Sequence, residues 1–180
     1  MLPILSTDRL ELVAVTDEHL PFEIEMDTNP EVMRYIIGRP RTEDEVIKSH
    51  EKRLSLVTES PGRGFWVGLL DNTPIGLWML LPSQGLEQSR EAELGYRLLP
   101  QFWHQGFASE GARALLNHCF AGLGLDRVYG KAMVAHTATR AILIKMGMKY
   151  IRDYSEEIEG SDQEVVEYAI TRDEWESQHK

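Results

Sequence analysis

Between an apolar strand-like stretch at Ala92–Leu99 and an amphipathic helical pattern at Glu110–Phe120 stands Trp-His-Gln-Gly-Phe-Ala-Ser, Trp103 to Ser109. A helix start leaves several backbone N–H groups without intrahelical partners, and its dipole adds roughly half a positive charge there, so the junction predicts an anion site. Gly106 has no Cβ and Ala108 only a methyl, so a pyrophosphate can approach the main chain where larger side chains would hold it off. Tight helix–strand packing is the other use of two such small residues, and the residues alone leave both open.

The 180 residues are enough for one domain with a real core, and no Pro/Gly/Ser-rich linker divides them, so a single domain over residues 1–180 is expected. Hydrophobic residues at 42% and charged ones at 27% are ordinary for a globular chain. A formal charge of -10 opposes binding to nucleic acid and to anionic membrane surfaces, and favours a cationic substrate such as an amine. Cys119 stands alone, which excludes an intrachain disulfide and a Cys-rich metal site; no metal is expected. Met1–Arg9 lacks the pattern of a signal peptide, and no apolar run approaches the roughly 20 residues of a membrane span. The cytoplasm is therefore the expected location.

Alternation over Leu10–Val15 predicts a short strand, with Thr16-Asp17 opening a helix over Asp17–Met26. Thr42 and Glu45 form a T-x-x-E capping box ahead of a second helix carrying Val46, Ile47, Leu54 and Val57, which ends at Ser60-Pro61-Gly62. Phe65–Leu70 and Ile75–Leu81 flank Asp71-Asn72-Thr73-Pro74, the pattern of an antiparallel hairpin. Downstream, Arg127–Val134 reads as a strand, Thr137–Met146 as a helix stopped at Gly147, and Lys149–Ile158 with Val165–Thr171 as a closing strand pair. Cys119 shares an apolar stripe with Leu115, Leu116 and Phe120, which makes it core rather than nucleophile. Trp66, Trp78 and Trp103 are expected in the core or an interface.

Glu93-Leu94-Gly95-Tyr96-Arg97-Leu98, then Pro100, then Trp103-His-Gln-Gly-Phe-Ala-Ser-Glu-Gly-Ala-Arg-Ala-Leu-Leu, resembles the acetyl-CoA-binding core of the GNAT N-acetyltransferase superfamily. His136-Thr-Ala-Thr-Arg-Ala-Ile-Leu-Ile-Lys-Met-Gly-Met148 is similar to that family's N-x-A-S segment and the helix after it. Leu5-Ser-Thr-Asp-Arg-Leu-Glu-Leu12 resembles the first strand of the ribosomal-protein alanine/serine N-acetyltransferase branch.

The resemblance implies an α/β (α+β) fold, a mixed sheet that splays in the middle and is flanked by helices. Pantetheine would lie in the splay beside the strand carrying Leu98, whose exposed backbone near Tyr96–Leu99 can pair with its amides as another strand would. By similarity, the backbone of His104, Gln105, Gly106, Phe107, Ala108 and Ser109 binds the pyrophosphate, and the Leu98 N–H is the candidate oxyanion contact. Two positions depart from the family pattern: Trp103 replaces the usual Gln or Arg, and His136 the usual Asn. Thr139 stands where the family has Ser and keeps a hydroxyl that would sit near the thioester sulfur.

Acetyl transfer to an amine needs a neutral nucleophile, a stabilised oxyanion and a place for a proton. Glu93 is the first candidate base, with Glu156 and Glu157 in reserve; a solvent-facing strand position is the alternative for each. Thr139 is a candidate proton donor or simply a helix-start residue, and His136, with an ordinary pKa of about 6.5, is a candidate acid–base group or a loop residue. The expected activity is acetyl transfer from acetyl-CoA to a primary amine, either a protein N-terminus or a small molecule. A non-catalytic acyl-CoA-binding module is the rival. Specificity is expected from Asp17–Met26, Glu43–Val57 and the loop Pro82–Arg90, and a homodimer is permitted.

Overall fold

The structure, a computed structural model, describes residues 1–83 and 89–178. Among the described residues, eight strands form one mixed sheet in the order β1-β2-β3-β4-β5-β6-β8-β7. They are β1 (Leu5–Ser6), β2 (Glu11–Ala14), β3 (Gly64–Leu70), β4 (Thr73–Pro82), β5 (Glu91–Leu98), β6 (Arg127–Met133), β7 (Lys149–Ile158) and β8 (Ser161–Thr171). Among the described residues, six α-helices accompany them: α1 (Leu20–Asp27), α2 (Pro30–Met33), α3 (Glu43–Glu59), α4 (Phe107–Asn117), α5 (Thr137–Lys145) and α6 (Arg172–Ser177).

Every neighbouring pair is antiparallel except β5 and β6, which run parallel and pair only from Glu91–Glu93 to Arg127–Tyr129. On its other side β5 stays in register with β4 from Ala92 all the way to Leu98. Beyond Glu93 the sheet therefore opens along one edge of β5, and the splay expected from the resemblance is present. Asp71 and Asn72, both at positive φ (49° and 64°), form a two-residue turn of left-handed residues, whose twist matches the right-handed twist of the β3–β4 hairpin.

The core lies on both faces of the sheet. Trp66, Trp78, Leu94, Leu98 and Cys119 lie with α4 on one face; Phe22, Met26, Val67 and Leu77 fill the other beneath α1. Trp66 and Trp78 are fully buried, as expected, but Trp103 remains 37% exposed. Its indole N–H reaches the Leu98 carbonyl at 2.8 Å, a hydrogen bond that holds the ring at the surface beside the splay rather than in the interior.

Several expected boundaries shift. The first helix opens with a 3₁₀ turn at Asp17–His19 before α1, whose second residue, Pro21, has no N–H to give. α2 and α6, one and one and a half turns long, are too short to show a hydrophobic period, and β8 starts at Ser161 because polar residues face solvent there. The capping box of α3 forms as read, with Glu45 N–H on Thr42 Oγ1 at 3.3 Å and Thr42 N–H on Glu45 Oε2 at 2.8 Å. Its buried face, however, carries His50 and Arg53 as well as Val46.

Candidate active site

α4 begins earlier than its apolar period suggests, at Phe107. Gly106 precedes it at φ 85°, a left-handed conformation that L side chains seldom adopt, and His104 is also left-handed at φ 60°. The first intrahelical bond runs from the Glu110 N–H to the Gly106 carbonyl at 3.0 Å, so the amides of Phe107, Ala108 and Ser109 stand ahead of it. Ser109 Oγ donates to the Gly106 carbonyl at 2.9 Å, while the Phe107 ring is buried and only its backbone belongs to the site.

Three residues, Trp78, Thr7 and Arg9, hold this helix start in place. Trp78 Nε1 donates to the Ala108 carbonyl at 3.2 Å, and α4 can press onto that indole because Gly111 lacks a Cβ, which would fall 2.4 Å from the ring. Thr7 Oγ1 and the Arg9 guanidinium both bond the Glu110 carboxylate, at 2.6 and 2.7 Å. Arg9 Nη1 also donates to the Gln105 carbonyl at 3.0 Å, and the guanidinium stacks 4.2 Å over Phe107.

The backbone of β5 completes the wall. The Leu99 N–H bonds the Ile75 carbonyl across to β4, and strand alternation turns the amides of Tyr96 and Leu98 to the opposite edge, into the splay. A cleft of about 800 Å³ opens there. It is lined by Leu98, Trp103, His104, Gly106, Phe107, Ala108 and Ser109, by His136 and Thr139 from the start of α5, and by Glu31, Val32, Arg34, Tyr35 and Ile36 from α2 and the turn after it. Gln105 lies outside the lining, its side chain turned back to the Gln101 carbonyl at 2.9 Å.

His136 stacks on Tyr35 with ring centroids 4.5 Å apart and 11° between planes, joining α5 to the segment after α2. Its Nε2 lies 3.4 Å from Thr139 Oγ1. Burial holds the His136 pKa below the ordinary value, so the ring is neutral at pH 7.

Glu93 is not among the cleft-lining residues. It sits where β5 still pairs with β6, 3.7 Å from Lys131 Nζ, which also bonds Glu156 at 3.0 Å. Burial raises the Glu93 pKa despite Lys131. Glu156 is thus spent in the same cluster, and Glu157 is exposed.

The residues that sequence periodicity missed are polar groups buried on apolar elements. Arg97 lines the cleft and grips Asp27 with Nε and Nη2, both at 2.8 Å. Arg53 joins Asp27 at 2.7 Å and Glu23, and Glu23 bonds His50 at 3.1 Å. Asp27 and Glu23 are fully buried, so this chain of ion pairs ties α1, α3 and β5 behind the cleft. α1 and α3 therefore back the cleft, and α2, not expected from the sequence, supplies its lining. Of the loop Pro82–Arg90, residues 84–88 lie outside the described residues.

The sequence matches the family described as Acetyltransferase (GNAT) domain over residues 9–149. The chain belongs to the GNAT acetyltransferase family. It is 38% identical over 183 residues to the FsC-acetyl coenzyme A-N(2)-transacetylase of Aspergillus fumigatus, a match covering 96% of this chain and 78% of that one. A GNAT acetyltransferase from Bacillus anthracis superposes with a TM-score of 0.82 at 19% identity, covering 95% and 99% of the two chains. RimL, a ribosomal alpha-N-protein acetyltransferase solved with coenzyme A, superposes at 0.80 with 21% identity, covering 96% and 99%.

This GNAT protein is thus an acetyl-CoA-dependent N-acetyltransferase. Its residues fit the cofactor: an open strand edge suits the pantetheine amides, and a Cβ-free helix start suits a diphosphate. Among the described residues no helix is long and apolar enough to cross a membrane.

Proposed function

We propose that this acetyltransferase binds acetyl-CoA through the Leu98 backbone and through His104, Gln105, Gly106, Phe107, Ala108 and Ser109, and acetylates a primary amine held against α2. The carrying observation is that the splayed edge of β5 opens directly onto the start of α4. Bound there, acetyl-CoA supplies an activated acetyl group. The Leu98 N–H points into the splay and stabilises negative charge on the acetyl oxygen. His136, neutral at pH 7, takes the proton from the amine, and Thr139 stands beside it to hand a proton on. Glu93, outside the lining, is the alternative base, accepting the proton directly or through a water.

The acceptor is an amine on a protein N-terminus or a small molecule. A 38% identical relative named for N(2) transacetylation supports a small-molecule amine, and the fold likeness to a ribosomal alpha-N-protein acetyltransferase supports a protein N-terminus. The cytoplasm remains the proposed place of action. Calorimetry with CoA and acetyl-CoA, followed by a thiol-release assay on peptides with free N-terminal Ala or Ser, on polyamines and on amino-acid derivatives, tests the proposal. Binding with release on one class names the acceptor; absence of CoA binding overturns the placement of the cofactor.

A further inference from the structure

We infer that Arg97 selects the acceptor: its free guanidinium nitrogen donates to an uncharged carbonyl oxygen on the carbon next to the reacting amine. The substrate is then an amino-acid amide, an amino-acid ester or a peptide N-terminus, and not a simple alkylamine or a polyamine. The inference rests on the cofactor placement and acetyl transfer proposed above and names the acceptor class that they leave open.

Arg97 spends two of its three guanidinium nitrogens on Asp27, Nε on Oδ1 and Nη2 on Oδ2, both at 2.8 Å. Nη1, on the other side of the fork, has no hydrogen-bond partner among the described residues, and the side chain, 12% exposed, lines the cleft. Buried structure fixes its aim. Asp27 is fully buried at the end of α1, also takes Arg53 Nη2 at 2.7 Å, and its backbone carbonyl accepts the Arg41 N–H at 2.9 Å. Three residues later α2 begins at Pro30, so the guanidinium is anchored to the chain just before the helix against which the amine is proposed to lie. The Leu98 N–H, the proposed oxyanion contact, belongs to the peptide bond that Arg97 itself forms, so this side chain leaves β5 beside the reacting carbonyl.

Charge decides what the free nitrogen takes. Two guanidiniums, Arg53 and Arg97, meet two carboxylates, Glu23 and Asp27, so the cluster is balanced before a substrate arrives. An uncharged carbonyl oxygen accepts from Nη1 without burying a net charge, whereas a carboxylate would leave one uncompensated. A second ammonium group, which a polyamine brings, meets a cation there and is repelled. An amine with no oxygen at that place leaves the donor unpaired when it displaces water, and is penalised for it.

The test compares alaninamide with sec-butylamine, in which an ethyl group replaces the amide, and with alanine, which carries a carboxylate instead. In a thiol-release assay with rates referred to the neutral amine, kcat/KM for alaninamide is expected to exceed that for either of the others about tenfold or more. This comparison uses the unaltered enzyme and stands whether or not a variant folds. Arg97→Lys keeps a cation opposite Asp27 but has no second arm, and is expected to cut the preference for alaninamide over sec-butylamine about 10- to 100-fold. Equal rates on alaninamide and sec-butylamine, a preference for alanine, or an unchanged ratio in folded Arg97→Lys overturns the role of Arg97. CoA binding with no release on any amine overturns instead the proposed activity, and failure of CoA to bind overturns the cofactor placement.

Discussion

Arg9 and Glu110, 101 residues apart in the chain, meet in a two-pronged ion pair, with Arg9 Nε 2.7 Å and Nη2 2.6 Å from Glu110 Oε2. The same guanidinium holds the Gln105 carbonyl, so it clasps the chain on both sides of Gly106. Glu110 sits in the first turn of α4, where the helix dipole favours a carboxylate, and the pair locks the loop before β2 onto the helix start.

Arg9→Ala is therefore expected to loosen the diphosphate loop without touching the acyl end of the cleft. The KM for acetyl-CoA should rise roughly three- to tenfold while the turnover number changes little. Steady-state kinetics at varied acetyl-CoA checks this, and a loss confined to turnover would contradict it.

Gly106→Val places a β-branched side chain at φ 85°, with its Cβ 3.3 Å from Arg9 Nη2. The left-handed backbone alone costs roughly 1–2 kcal/mol, and the side chain stands where the cofactor's phosphates approach. A folded variant with CoA affinity reduced at least about tenfold by calorimetry is the expected result; unchanged affinity would remove Gly106 from the cofactor site.

Asp27 is buried, which by itself raises its pKa, but the Arg97 and Arg53 guanidiniums more than offset this and hold the carboxyl below its ordinary 3.8. A carboxyl depressed in the folded state contributes stability that is present above pH 3.8 and is lost as pH falls through the folded value. Asp27→Asn leaves two buried cations underpaired and should cost about 3–5 kcal/mol at pH 7. Urea midpoints from pH 7 downward should show the gap between the two proteins narrowing below pH 3.8; a constant gap would mean that Asp27 is not charged in the fold.

His136 and Glu93 divide on kinetics. With its pKa held below 6.5 by burial, His136 should place the acid limb of the kcat/KM profile below pH 6.5. His136→Gln should remove that limb and lower turnover about 100-fold or more, while Glu93→Gln should lower it less than about threefold. A large Glu93→Gln loss that shrinks as pH rises would move the base to Glu93.

The local signals proved sound where the cause is local. The capping box of Thr42 and Glu45, the Asp71-Asn72 turn, the small Gly106 beside an α4 start and the apolar stripe around Cys119 all act within a few residues, and each can be read from the chain alone. Even the order of elements around the cleft follows from the resemblance carried by residues 93–116 and 136–148.

Contacts across the sheet were decided only by tertiary structure. Nothing in Glu93 itself tells that β5 still pairs with β6 at that residue, closing it off beside Lys131. Nor does the strand pattern say that Tyr96, three residues further on, opens into the cleft while Arg97 dives to Asp27 on the opposite face. Buried charges such as Asp27, Glu23 and Arg53 look like solvated positions in a sequence, because the partners that make their burial tolerable lie 26 to 70 residues away and meet only when the chain has folded.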